Sequence, residues 1–182
     1  MNVLAICGSL RTASINRMLL HAAIQLAPPG MSIRIYPTIG ELPLYNPDLE
    51  CNVPKQVKTF RNQVADSQAL LIASPEYAHG VTGAIKNALD WLVSFESFAN
   101  KPVAVLNASP RASHADAALR ETLRTMSAVI VEEASICVPL LGTNLTADDV
   151  VYHPTMADAI RDALLDLQTS TIHHILRLAQ ES

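Results

Sequence analysis

The sequence predicts a doubly wound α/β domain, a five-stranded parallel sheet with helices on both faces. Three observations carry this. Five short apolar runs recur along the chain, separated by stretches with helical spacing. The 182 residues, 49% of them hydrophobic, suit one α/β domain with a sizeable core and are short for two. No internal repeat, low-complexity tract or linker divides the chain, so one domain over 1–182 is expected.

Residues 2–7 (NVLAIC) read as a buried first strand. Helical spacing over 14–27 puts Ile15, Met18, Leu19, Ala22, Ala23 and Leu26 on one side, and Pro28, Pro29 and Gly30 end that helix. Residues 31–36 (MSIRIY) alternate as a second strand. From Pro37 to about Asn52 a loop with Gly40, Pro43 and Pro47 is expected to be irregular. Pro54 opens a helix over 54–66, and 68–74 (QALLIAS) is a third strand. A loop at 75–82 leads to a helix from Gly83 to about Phe95. Residues 102–108 form a fourth strand, 114–127 a helix, and 129–138 a fifth strand ending at Pro139. The segment 140–154 is expected to be irregular. A last helix spans about 155–179, with Thr155 as N-cap.

Five such strands commonly take the order 2-1-3-4-5, which reverses between strands 1 and 3. Ligands bind outside the carboxyl ends of strands at that switch point. Two loops are therefore singled out, 8–16 and 75–82.

The first loop, Gly8-Ser9-Leu10-Arg11-Thr12-Ala13-Ser14-Ile15-Asn16, runs directly into a helix. A helix N-terminus offers unpaired N–H groups and partial positive charge. Ser9, Thr12 and Ser14 add hydroxyls, and Arg11 adds a fixed cation. Gly8 is expected to allow close backbone approach to a ligand. Capping alone needs only one such side chain, so the pattern favours a phosphate or similar anion. No G-x-x-x-x-G-K-[ST] motif marks a P-loop, and no G-x-G-x-x-G follows the strand. Only three residues separate Cys7 from Arg11, too few to wrap a phosphate as in a thiol phosphatase. Cys7 reads as a small buried hydrophobe.

The second loop, Ser74-Pro75-Glu76-Tyr77-Ala78-His79-Gly80-Val81-Thr82-Gly83, must face the first. Gly80 and Gly83 permit unusual backbone angles there. Its backbone N–H groups and Tyr77 suit a planar ring with polar edges. Tyr77 reads equally as a half-buried anchor, and His79 as a solvent-exposed loop residue. In the following helix Ile85, Ala88, Leu89 and Leu92 form one apolar stripe. Trp91, Phe95 and Phe98 lie beside it, more apolar surface than one stripe needs; the pattern reads as a deeply covered helix or, the preferred hypothesis, as a second stripe that meets a partner subunit.

Three segments, GSLRTASIN, LPLYNPDLE (42–50) and SPEYAHGVTGAIKNALDWL (74–92), resemble the NAD(P)H-dependent FMN reductase family, with its related quinone, chromate and azo-dye reductases. The resemblance implies a flavodoxin-like three-layer sandwich, bound FMN, NADPH or NADH as co-substrate, and a homodimer or homotetramer. By position, it implies that Ser9, Arg11, Ser14, Ile15 and Asn16 hold the phosphate. Pro75, Glu76, Tyr77 and the backbone of Ala78, His79 and Gly80 would hold the ring and ribityl chain. Lys86 and Asp90 are structural or interface residues. Two departures stand out. Ala78 replaces the Asn of many relatives, and Ser109-Pro110-Arg111-Ala112-Ser113-His114 replaces a Gly-rich turn, with Ser109 and Arg111 as candidates near the flavin edge.

The implied chemistry is hydride transfer through FMN to a quinone, free flavin or similar acceptor, with no catalytic side chain required. A flavodoxin-type electron carrier and a flavin-binding sensor remain alternatives, although a net charge of -4 is modest for an acidic carrier. That charge also lacks the basic excess of a nucleic-acid binder. Three well-separated cysteines (7, 51, 137) fit a reducing compartment. No signal peptide or apolar run of about 18 residues is visible, so a cytoplasmic protein without membrane attachment is expected. His173 and His174 point to different helix faces and are not read as a metal site.

Overall fold

The computed structural model describes residues 1–181; Ser182, the last residue of the expected domain, lies outside them. Strands β1 (Asn2–Cys7), β2 (Ser32–Ile35), β3 (Ala69–Ala73), β4 (Pro102–Leu106) and β5 (Val129–Ile130) form one parallel sheet in the order β2-β1-β3-β4-β5, as expected. Val3 lies opposite Ile33 on one side and Ala69 on the other, and Leu70 opposite Val103.

Helices α1 (Ile15–Gln25), α2 (Lys55–Asp66), α3 (Gly83–Asp90), α4 (Ser113–Thr125), α5 (Ala147–Tyr152) and α6 (Pro154–Glu181) surround it. Alternation along β1 divides the core. Val3, Ala5 and Cys7 pack with α1, α5 and α6, whereas Leu4 and Ile6 pack with α2, α3 and α4. Three layers result, and every central strand is buried on both faces.

The fifth strand is shorter than the expected 129–138. The Val131 N–H still donates to the Val103 carbonyl at 2.9 Å; the chain then turns out of the ladder and rejoins it where Cys137 pairs with Asn107. Glu132 draws the turn toward α4, since Arg120 and Arg124 both bond its carboxylate, at 2.6 and 2.9 Å. Ser135 Oγ replaces the missing ladder acceptor by taking the Val105 N–H at 3.0 Å.

Segment 140–154 is not irregular throughout. Thr146 and Asp149 form a reciprocal capping box that starts α5. Thr155 is not a cap either. Pro154 opens α6, and His153 Nδ1 accepts the Met156 N–H at 3.4 Å.

The aromatic stripe of α3 faces its own chain rather than a partner. Segment 37–52 contains two 3-10 turns, Ile39–Glu41 and Pro47–Asn52, and folds over α3. Trp91 donates from Nε1 to the Pro43 carbonyl at 2.7 Å, and Tyr45 meets its ring edge-on. Asn87 donates to the same carbonyl and accepts the Tyr45 N–H at 2.8 Å. Beneath them Arg61 is bidentate to Glu50 and donates to the Trp91 carbonyl. Trp91 and Phe98 are consequently buried, and Phe95 is half-buried. The LPLYNPDLE segment thus acts as a cover for α3.

Candidate cofactor-binding site

The carboxyl ends of β1, β3 and β4 open onto a cleft of about 360 Å³. Loop 8–16 supplies Ser9, Arg11, Ser14, Ile15 and Asn16; the loop after β3 supplies Pro75, Glu76 and Tyr77; and the loop after β4 supplies Ser109 and Arg111. The switch point therefore brings together the two loops singled out in the sequence and the variant loop 109–114.

Loop 8–16 is held in place from both sides. Gly8 N donates to Ala73 O at 2.8 Å, and Thr82 Oγ1 donates to Gly8 O at 2.8 Å. Thr82 also caps α3 by accepting the Ile85 N–H, so one hydroxyl joins both walls. Gly8 serves this internal contact rather than approach to a ligand. A Cβ there would sit 2.1 Å from Ser74 Oγ and 2.6 Å from Ile85 Cγ1.

Ser14 is the N-cap of α1, its hydroxyl accepting the Arg17 N–H at 3.3 Å. The first intrahelical backbone bond is Met18 N to Ser14 O, so the Ile15 and Asn16 amides precede it and have no helical acceptor. Ser9 and Ser14 are buried, and Arg11 is exposed at the cleft. Asn16 is only 3% exposed, yet its Oδ1 has no partner. A buried acceptor left open beside helical N–H groups and an arginine matches a ligand that carries both hydroxyls and a phosphate. The residues present thus fit a flavin mononucleotide.

The second wall carries backbone strain, at positions other than the expected ones. Tyr77 and Gly80 exchange both backbone hydrogen bonds, at 3.0 and 3.1 Å, and close a tight turn. Its two central residues, Ala78 and His79, have φ of 49° and 59°, while Gly80 and Gly83 stay outside the left-handed region. A turn with two such residues is ordinarily built from Gly, Asn or Asp. His79 is exposed as expected, and its ring meets that of His114 edge-on at 4.5 Å. Tyr77 is 53% exposed and lines the mouth of the cleft.

Glu76 does not simply present a carboxylate to the cleft. Its Oε2 accepts the Ala115 N–H at 2.9 Å, and its Oε1 lies 3.3 Å from His79 Nδ1. The third wall is ordered by Asn107, whose Oδ1 accepts the Ser109 N–H at 2.9 Å, while Ser109 Oγ accepts the Arg111 N–H at 3.2 Å. Sequence reasoning missed Asn107, Thr82 and Leu141. An Asn just after a strand and two residues before Ser-Pro was the available signal for the first, and Thr before Gly-Ala-Ile-Lys the capping signal for the second. Leu141 joins the lining from a distant loop without any local signal. Among the described residues no group of three or more His, Cys, Asp or Glu side chains is placed to hold a metal ion.

The chain is 46% identical over 110 residues to an NAD(P)H-dependent FMN reductase of Pseudomonas aeruginosa, the match covering 59% of each. It is 42% identical over 91 residues to a 2-hydroxy-1,4-benzoquinone reductase of a Burkholderia species, covering 50% of this chain and 49% of the relative. The chain thus spans roughly half to three fifths of the length of these curated relatives. A solved flavoenzyme, an NAD(P)H:(acceptor) oxidoreductase from Paracoccus denitrificans, superposes with a TM-score of 0.81 at 28% identity, over 95% of this chain and 98% of that one. The family described as NADPH-dependent FMN reductase matches residues 1–140, and the chain belongs to it.

Proposed function

We propose that the chain is an NAD(P)H-dependent FMN oxidoreductase that passes reducing equivalents to a quinone, free flavin or similar small acceptor. The observation that carries this is the cleft itself, where an anion cradle at the start of α1 adjoins a mouth bounded by Pro75, Tyr77 and Ser109. When bound, FMN would supply the hydride and electron chemistry. Ser9, Arg11, Ser14, Asn16 and the Ile15 amide hold its phosphate and ribityl chain. Pro75, Glu76, Tyr77 and the 78–80 backbone border its ring, with Ser109 on the opposite side. Glu76 acts here by orienting the turn and α4. The names of the relatives agree with this reading, and NADPH or NADH is the co-substrate.

The whole chain, 1–182, is read as one domain. Exposed Leu10, Leu44, Tyr77 and Leu141 support a homodimer or homotetramer that covers apolar surface, Tyr77 and Leu141 lying at the cleft itself. Three unpaired cysteines support a cytoplasmic setting. No helix among the described residues is long and apolar enough to cross a membrane.

The test is spectroscopic. Purified protein should carry, or take up, FMN with a flavin absorption spectrum, and anaerobic NADPH or NADH should bleach it. Bound flavin that neither nucleotide reduces would favour an electron carrier or sensor instead. A monomeric mass at micromolar concentration would remove the oligomer.

A further inference from the structure

We infer that the open groove along α1, where Arg17 and His21 lie, receives the 2′-phosphate of NADPH. This rests on the reductase reading above and extends it to nucleotide choice. The groove encloses about 650 Å³ and shares Ala13, Ser14 and Ile15 with the cofactor cleft. The cleft, at about 360 Å³, lies near the small end of the range for ligand pockets. A dinucleotide whose nicotinamide reaches the flavin must therefore lay its adenosine half on neighbouring surface, and this groove is continuous with the cleft.

Its chemistry suits a phosphate monoester. Arg17 is half-buried and has no carboxylate partner among the described residues, unlike Arg61, Arg120, Arg124 and Arg161. A guanidinium in that setting matches a phosphate dianion with two parallel hydrogen bonds. His21 stands one helical turn further on the same face and is exposed, so its ring can hydrogen-bond an anion held by Arg17. No acidic side chain lines the groove, although the chain carries a net charge of -4. Met18 and Leu145 provide apolar surface for a base beside Arg17 and His21. Arg17 is also well rooted, since Ser14 caps its backbone N–H. NADH lacks the 2′-phosphate, so the groove favours NADPH by the contact that NADH cannot make.

The test compares wild-type holoenzyme with Arg17→Ala and His21→Ala. For Arg17→Ala, the KM for NADPH should rise about tenfold relative to the KM for NADH, the effect of one charge-assisted contact. Calorimetric titration with 2′,5′-ADP should weaken by a similar factor, whereas 5′-ADP should change little. His21→Ala, at an exposed position, should move both readouts in the same direction by a smaller factor. Equal KM changes for both nucleotides, or unchanged 2′,5′-ADP affinity in both variants, would overturn the assignment. A wild-type protein whose FMN neither nucleotide reduces would instead overturn the reductase reading on which it rests.

Discussion

The Glu76 carboxylate accepts the Ala115 N–H at 2.9 Å and so caps a helix that belongs to a different wall of the cleft. Helix α4 has no local substitute, because Ala112 at its N-cap position offers no side-chain bond. The loop after β3 and the loop after β4 are thereby joined by one carboxylate near the positive end of a helix.

Glu76→Ala should lower stability by about 0.5–2 kcal/mol, the range for losing an N-cap. Glu76→Gln keeps an acceptor and should recover part of the loss. Urea denaturation of the apo forms gives both values. FMN dissociation should also quicken in the Ala variant, because two walls of the cleft lose their common tie.

Gly8→Ala should destabilise by about 1–3 kcal/mol, the cost of forcing volume into a packed site. The added Cβ meets the Ser74 side chain and Ile85 together, so no single rotamer change relieves it. Ser74→Gly combined with Gly8→Ala should restore only part of the loss, because the contact with Ile85 remains. Thermal melts of the single and double variants check this.

Arg11→Ala should weaken FMN binding by about 1.5–3 kcal/mol, the range for hydrogen bonds to charged groups. Fluorescence titration of the apo protein with FMN measures it. Affinity for riboflavin, which lacks the phosphate, should change much less. Equal losses for both ligands would place Arg11 away from the phosphate.

The Glu50–Arg61 pair predicts an acid-side stability loss. Hydrogen bonds from Arg61 and Ser94 hold the Glu50 carboxyl below its ordinary value, against the opposing effect of burial. A carboxyl with a depressed folded-state pKa contributes stability above its unfolded value of about 4.3 and loses it as pH falls through the folded value. Glu50→Gln should therefore flatten the stability profile below about pH 4.3, with little change in slope near pH 7. Denaturant midpoints measured across that range decide it.

The apolar strands, their order and the loop of donors that starts α1 were legible in the residues, although the fifth strand is shorter than its apolar run. Burial on both faces forces apolar runs, parallel neighbours force helical crossovers, and a phosphate needs donors at a helix start. Each is a local requirement written into neighbouring residues. Periodicity around Trp91 announced a second buried stripe but could not say what buries it; the answer is Pro43, 48 residues earlier in the chain. Ser135 Oγ replaces a backbone acceptor in the fifth strand, and the Ala78-His79 turn holds angles that glycine would suit. Neither is a matter of propensity, because both exist only where surrounding contacts outweigh local preference. The same holds for Gly8, predicted as a glycine for a ligand and found to be a glycine for Ser74 and Ile85. Sequence patterns specify which faces must be covered and which groups must be bonded. Three-dimensional packing assigns the partners, because residues far apart in the chain meet only once the layers have closed.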